Sequence, residues 1–312
     1  MNKDLVSIKD LSAKDINGIF SLASEMKKRP FAFSRALRGK TLALIFEKPS
    51  NRTYVSFQVG MYQLGGDSIY LGPEHIKLGV RESVHDVAKT LSRYVDGIVI
   101  RTFAHAKVLE MARYSNKPVI NGLSDFSHPC QALADVLTIK EKLRRLKGVT
   151  LAYVGDGNNV CVSLLYICSK LGIHMKVATP LGYAPGQKVI MQAKALAHAS
   201  GARILISHNA PEAAKGADVL YTDVWASMGQ EKEAERRKRI FRAFQLNSKL
   251  ASFAKKKALI MHCLPAHRGE EITDEIIDSK NSIVFDQAEN RMHVQKAILI
   301  KLMKGYVYVK KD

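Results

Sequence analysis

Apolar residues along the chain follow two alternating rhythms. Short unbroken apolar runs, the clearest being Thr41-Leu42-Ala43-Leu44-Ile45-Phe46, read as strands covered on both faces, since a strand with one wet face would alternate apolar with polar. Between them lie stretches whose apolar positions recur at helical spacing. Ser12-Ala13-Lys14-Asp15 opens the first of these as a capping box, with Ile16, Ile19, Phe20 and Ala23 on one face and an end near Arg29-Pro30. The pattern then predicts a strand at 41–46, a helix from near Thr53, a Gly65-Gly66 turn, a strand at 68–71, a helix at 83–94, a strand at 97–100, a helix at 104–114 and a strand at 118–121. A long helix opens at Pro129, placed as an N1 proline, and runs to about Leu146. The scheme repeats with strands near 149–154, 175–178, 203–206, 219–222, 258–261 and 283–285, and a last helix at 288–303.

Such alternation predicts an α/β protein of two doubly wound domains, each a mainly parallel sheet with helices on both faces, and a C-terminal helix closing the chain. The boundary is expected near residue 147, giving domains 1–147 and 148–312, with the last helix packing back on the first. A chain of 312 residues suffices for two cores of ordinary size.

Composition narrows the setting. With 46% hydrophobic and 25% charged residues and a mean hydropathy of −0.10, the chain reads as soluble and globular. No apolar run approaches membrane-spanning length, and the polar N-terminus carries no signal-peptide core, so a cytoplasmic protein without membrane association is expected. Cys130, Cys161, Cys168 and Cys263 form no CxxC pair, and reduced thiols are expected. A net charge of +19 raises nucleic acid as a partner. The bases are spread along the chain, however, densest at 140–147, 232–242 and 255–257, and read mainly as solvated helix faces, so no nucleic-acid partner is expected. Attraction of anionic substrates explains part of the charge, not all of it.

In open parallel sheets ligands bind beyond the carboxyl ends of strands. After the first strand comes Glu47-Lys48-Pro49-Ser50-Asn51-Arg52-Thr53, where a helix start offers unpaired backbone N–H groups and partial positive charge. Hydroxyls of Ser50 and Thr53 and the Arg52 fork would complete a cradle for a tetrahedral dianion; an ordinary helix start with Ser50 as N-cap reads equally well from this segment alone. Corresponding positions hold Arg101-Thr102, Ser127-His128-Pro129-Cys130-Gln131, Gly155-Asp156-Gly157-Asn158-Asn159, Asp223-Val224-Trp225-Ala226-Ser227-Met228-Gly229 and His262-Cys263-Leu264-Pro265.

Taken in order, these segments resemble the aspartate/ornithine carbamoyltransferase family over nearly the whole chain, to Asp286-Gln287-Ala288-Glu289-Asn290-Arg291-Met292-His293. The stretches 223–229 and 262–269 resemble its ornithine-using branch. The resemblance implies attack of the ornithine δ-amine on the carbonyl of carbamoyl phosphate, giving citrulline and phosphate in arginine metabolism, with no cofactor. It assigns carbamoyl phosphate to Ser50, Asn51, Arg52, Thr53, Arg101, His128, Pro129, Cys130, Gln131, Arg291 and the carbonyls of Cys263 and Leu264. Arg101 and His128 would donate to the developing oxyanion. It assigns the α-carboxylate of ornithine to Asn159 and the Met228 backbone, and the α-amine to Asp223 and Ser227. Cys263 would stand beside the reacting amine, amid cations that ease its ionisation. Arg101, His128, Asp223 and Cys263 are thus the expected catalytic residues. Oligomers built of trimers, with shared active sites, are also implied.

Three positions depart from the family pattern. Asn51 stands where threonine is usual, Tyr54 where a second arginine is common, and Lys77 where glutamine is common on a loop given to the neighbouring subunit. Lys77 is expected to contact phosphate. Among rival readings, Gly155-Asp156-Gly157 starts a dinucleotide fingerprint, but Val160 stands where its third glycine should fall. Putrescine or an acylated ornithine as acceptor remains open, as does the metabolic direction. The spacing of His262, Cys263, His267 and His293 fits no common zinc motif, and no metal is expected.

Overall fold

The computed structural model describes residues 3–226 and 233–304. The described residues within Met1–Ala134 and Glu289–Asp312 form one compact unit, and those within Asp135–Ala288 a second. Each is built on one parallel sheet.

In the first unit β1 (Thr41–Phe46), β2 (Asp67–Leu71), β3 (Gly97–Arg101) and β4 (Val119–Leu123) lie in the order β2-β1-β3-β4, all neighbours parallel. Every residue of β3 is buried, as its unbroken apolar run requires, whereas the edge strand β2 is partly exposed. Helix α1 (Ala13–Lys28) begins with the expected capping box, Ser12 Oγ accepting from the Asp15 N–H and Asp15 Oδ2 from the Ser12 N–H. Helices α2 (Asn51–Gln63), α3 (Val84–Tyr94) and α4 (His105–Tyr114) connect the strands. Val84, Val87, Val108 and Met111 of α3 and α4 pack on Ala43, Ile45, Ile98, Ile100 and Val119, one set of alternate strand positions.

Helix α5 (Pro129–Leu143) leads into the second unit. There β5 (Thr150–Val154), β6 (His174–Ala178), β7 (Ile204–Ser207), β8 (Val219–Thr222) and β9 (Leu259–His262) lie in the order β7-β6-β5-β8-β9, again all parallel. Their connections hold α6 (Asn159–Leu171), α7 (Gln187–Ser200), α8 (Ala210–Ala214), α9 (Ala234–Phe241), α10 (Ser248–Ala251) and α11 (Asp274–Ile277). Ala210, Ala213, Leu250, Ile276 and Ile277 of α8, α10 and α11 pack on Ala152, Val154, Leu220 and Ile260.

One predicted strand does not form. Residues 283–285 were expected to be extended, yet α12 runs from Val284 to Met303. The approach to it is held beside β9 by Ile260 N–H to Asn281 O (3.0 Å) and Ile283 N–H to Ile260 O (3.0 Å), a single bridge rather than a ladder. The apolar run Ile283-Val284-Phe285 thus belongs to a helix start, the ambiguity that short apolar runs carry. Farther along α12, Lys27 of α1 bonds Asn290 (2.9 Å) and the Lys296 amine bonds Gln63 of α2 (2.8 Å).

Much of the positive charge collects where the second sheet's strands begin. Arg144, Arg145 and Lys147 precede β5, Arg203 precedes β7, Lys215 precedes β8, and Lys255, Lys256 and Lys257 precede β9, all exposed. Asp218, the acid in these approaches, lies 2.7 Å from Lys255 and 3.6 Å from Arg145. This edge lies at the opposite end of the strands from the residues expected to bind substrate. The segment 232–242 also departs from a purely solvated face: Arg237 is buried and pairs with Asp156 at 2.9 Å.

Gly157, just after β5, meets a second chain segment at close quarters. A Cβ there would lie 2.4 Å from Pro185 N and 2.6 Å from Tyr183 O, both backbone atoms that cannot swing aside. Gly157→Ala is expected to destabilise the protein by about 2 kcal/mol in urea unfolding, in the range of overpacking substitutions.

Candidate active site

Strand order fixes where side chains converge. In the first sheet the direction of winding reverses between β1 and β3, and in the second between β5 and β8. At such switch points adjacent connections diverge and leave room beyond the carboxyl ends. Phe46 pairs with Arg101 in register, so the turn after β1 lies beside the end of β3.

That turn becomes the N-terminus of α2. Ser50 is its N-cap, Oγ accepting from the Thr53 N–H at 3.3 Å. Thr53 is buried, and its hydroxyl oxygen accepts from Arg101 Nη1 (3.4 Å) and Arg291 Nη2 (3.0 Å). Arg291, on α12, also donates through Nη1 to Gln131 Oε1 at 2.5 Å. Sequence positions as distant as 53, 101 and 291 therefore meet around one hydroxyl, and Arg291 ties Gln131 to them. Asn51 is exposed and Arg52 half-buried at the helix start.

His128 is 5% exposed, and the loop carrying it is set by Asn121, whose amide donates to Val6 O (2.9 Å) and Ser127 O (3.3 Å). Burial, then the positive charges of Arg291, Arg101 and Arg52, hold the His128 imidazole well below its ordinary proton affinity. It is neutral at pH 7, so one ring nitrogen can donate a hydrogen bond without the ring carrying charge. Pro129 is buried at the start of α5. Cys130 is expected among the carbamoyl phosphate residues, yet its side chain turns into the core, Sγ donating to Asn121 O at 3.8 Å, and burial pushes its thiol up to about 12. Its backbone is what remains for a ligand.

Glu47 was not singled out from sequence. Its carboxylate accepts from Thr102 Oγ1 and from Lys107 Nζ at 2.6 Å, and Lys107 also donates to Leu78 O at 2.8 Å. One buttress thereby links the cradle turn, the end of β3 and the loop after β2. Lys77 sits on that loop with its side chain exposed.

In the second unit Asp223 follows β8. Its Oδ1 accepts from the Val224 N–H (2.8 Å) and Cys263 Sγ (2.9 Å), and its Oδ2 from Asn158 Nδ2 (2.7 Å). Asn158 caps α6, accepting from the Val160 and Cys161 N–H groups, while Asn159 is the first helical residue beside it. Sequence reasoning singled out Asn159 and passed over Asn158, whose cap position was the available signal. Cys263 was expected amid cations. Its thiol donates to the Asp223 carboxylate. Ser227 and Met228 lie outside the described residues.

Asp223, His262 and Cys263 bring one potential metal-ligand atom each within 4.8 Å. His262, however, accepts at Nδ1 from the Leu264 N–H (2.9 Å) and donates from Nε2 to Glu271 Oε1 (3.0 Å), which commits both ring nitrogens.

Comparison with known proteins gives the family. Residues 3–141 match the carbamoyl-P binding domain of aspartate/ornithine carbamoyltransferase, and residues 147–302 its Asp/Orn binding domain. The chain belongs to the aspartate/ornithine carbamoyltransferase family. It is 53% identical over 305 residues to the ornithine carbamoyltransferase of Thermococcus kodakarensis, covering 97% of each chain. The solved structure of ornithine carbamoyltransferase from Pyrococcus furiosus superposes with a TM-score of 0.94 at 53% identity, covering 97% of this chain and 98% of that one. The anabolic ornithine carbamoyltransferase of Campylobacter jejuni subsp. jejuni gives a TM-score of 0.93 at 38% identity, covering 98% of this chain and 100% of that one.

His128 gives the first unit a pH signature. Unfolded histidine titrates near 6.5, and burial lowers the folded value, so below that pH the unfolded state binds more protons. Unfolding free energy is expected to fall as pH drops below about 6.5, by at most about 1.4 kcal/mol per pH unit from this group. In urea unfolding at pH 7 and 5.5, His128→Gln should show a correspondingly shallower loss.

Proposed function

We propose that this chain transfers the carbamoyl group of carbamoyl phosphate to the δ-amine of L-ornithine, releasing L-citrulline and phosphate. The observation that carries the reading is a neutral, buried His128 under the influence of Arg291, Arg101 and Arg52, the first two of which bond the hydroxyl of Thr53 at a helix N-terminus. A phosphate binder and a carbonyl polariser are thereby combined.

In the reaction the amine lone pair forms the N–C bond, negative charge grows on the carbonyl oxygen, the bond from the carbonyl carbon to the bridging oxygen breaks with its electron pair leaving on phosphate, and the proton shed by the amine nitrogen is taken up by the departing phosphate. Ser50, Arg52, Thr53 and the first N–H groups of α2 bind the phosphate, with Asn51 at the rim; their positive field stabilises it as leaving group. Arg101 and neutral His128 donate to the oxyanion. Gln131, oriented by Arg291, and the carbonyls of Cys263 and Leu264 accept from the carbamoyl amide; Pro129 and Cys130 contribute through the helix start that carries them. Asp223 receives the α-ammonium of ornithine with Ser227, and Asn159 and the Met228 backbone receive its α-carboxylate. Cys263 acts as a protonated donor to Asp223, which orients the carboxylate. No cofactor or metal enters this scheme.

Two anabolic relatives, from Pyrococcus furiosus and Campylobacter jejuni, support a biosynthetic role in arginine formation. Homotrimers or multiples of them, with Lys77 offered to a neighbouring subunit's phosphate, complete the reading, as does a cytoplasmic location. No helix among the described residues is long and apolar enough to cross a membrane.

Purified protein supplied with carbamoyl phosphate and ornithine should form citrulline, and aspartate or putrescine in place of ornithine should give little product. Citrulline formation no faster than without enzyme would overturn the proposal. Lys77→Gln should raise the KM for carbamoyl phosphate about fivefold, the scale of one solvent-screened ion contact, and leave the ornithine KM unchanged. An unaltered carbamoyl phosphate KM would remove Lys77 from the site.

A further inference from the structure

Behind the Cys263-Leu264 segment lies a buried polar chain. Glu271 and His262 are both 0% exposed. Glu271 Oε1 accepts from His262 Nε2 at 3.0 Å and from the His267 N–H at 2.6 Å. His262 Nδ1 accepts from the Leu264 N–H at 2.9 Å, and the His262 N–H donates to Gln287 Oε1 at 3.1 Å. Gln287 in turn donates from Nε2 to Asp135 Oδ1 (2.7 Å) and to Tyr221 Oη (3.0 Å), while Tyr221 donates to Asp135 Oδ2 (3.1 Å).

Each link constrains the next. A carboxylate oxygen only accepts, so Glu271 requires the proton of His262 to reside on Nε2. Nδ1 is then an obligatory acceptor, and the hydrogen it faces is that of Leu264. Leu264 has φ +57°, a left-handed backbone that side chains with a Cβ rarely adopt and that costs about 1 kcal/mol or more. The bond to its N–H holds the residue there. The Cys263–Leu264 peptide shares that N–H, so its carbonyl direction is set by the same contact.

We propose that Glu271 and His262 are positioning residues for carbamoyl transfer: Glu271 selects the His262 tautomer, and His262 fixes the peptide whose carbonyl, that of Cys263, receives the carbamoyl amide. The inference rests on the role given to that carbonyl above. It assigns to two wholly buried residues a function that neither could perform by contact with substrate. It also accounts for a charged side chain kept in the core, which burial alone disfavours.

Amide side chains separate the two ring nitrogens. The oxygen of asparagine reaches about where Nδ1 stands, and the nitrogen of glutamine about where Nε2 stands. His262→Asn therefore keeps an acceptor for Leu264 and loses the bond to Glu271; His262→Gln keeps the latter and loses the former. The experiment is initial-rate kinetics of the full chain with both substrates for His262→Asn, His262→Gln, Glu271→Gln and the double variant Glu271→Gln/His262→Asn, with thermal unfolding of each.

His262→Gln should lose about 100-fold in kcat/KM for carbamoyl phosphate, the scale of a 1 Å misplacement. His262→Asn should stay within about tenfold of wild type by the same measure, and the double variant should be no worse than it, because an asparagine oxygen needs no carboxylate to fix its role. The ornithine KM should change little throughout. Equal losses for His262→Asn and His262→Gln, or losses that simply track Tm across the four variants, would overturn the inference. Both failures presuppose an active wild type, whereas a wild type that forms no citrulline defeats the underlying reaction, and this inference with it.

Discussion

The proposed chemistry depends on keeping one buried imidazole neutral. Burial lowers the proton affinity of His128, and the charges of three guanidinium groups add to that effect, so the ring stays uncharged where an exposed histidine would begin to take up a proton near neutral pH. A neutral donor next to fixed cations suits a reaction whose substrate arrives as a phosphate dianion and develops a second negative centre on a carbonyl oxygen. Were His128 charged, the first unit would carry an additional buried cation; in the proposed reaction the cations bind and the neutral imidazole polarises. Asn121 contributes by fixing the loop before α5, and Glu47 by tying the neighbouring turn to β3 and Lys107.

The second unit solves a different problem by related means. Asp223 is held by three donors, two of them side chains, so its oxygens have defined directions before any ligand arrives. Asn158 serves twice, capping α6 with its oxygen and gripping Asp223 with its nitrogen, which couples the helix start to the end of β8. Asp156 and Arg237 form a further pair beside this turn, with the guanidinium also donating to Trp225 O at 2.9 Å. Polar groups placed in this way limit reorganisation on binding, which is where much of the benefit of preorganisation lies.

Legibility from sequence varied with the range of the interaction. The capping box at Ser12, the strand cores and the N-terminus of α2 depend on residues within a few positions of one another, and were read correctly. Ser50 as an N-cap and Ser50 as part of an anion site are not exclusive readings, since one hydroxyl does the first while the helix start around it supports the second. The strand expected at 283–285 failed because three apolar residues suit either state, and the bridge to β9 ends before Val284. Arg237 gave no local sign of its buried partner 81 positions away, and the neighbour of the Cys263 thiol, which proved to be a carboxylate, was equally hidden.

The sequence by itself determined the α/β alternation, the positions that follow each strand and, through their order, the family to which the chain belongs. Those features rest on periodicity and on contiguous motifs, which folding does not alter. Tertiary structure alone decided which distant groups meet: Thr53 with Arg101 and Arg291, Asp223 with Asn158 and Cys263, Glu271 with His262. It decided the protonation of His128 too, because burial and charges supplied by other strands and helices keep that imidazole neutral, and no local pattern in the chain encodes the distances that set it.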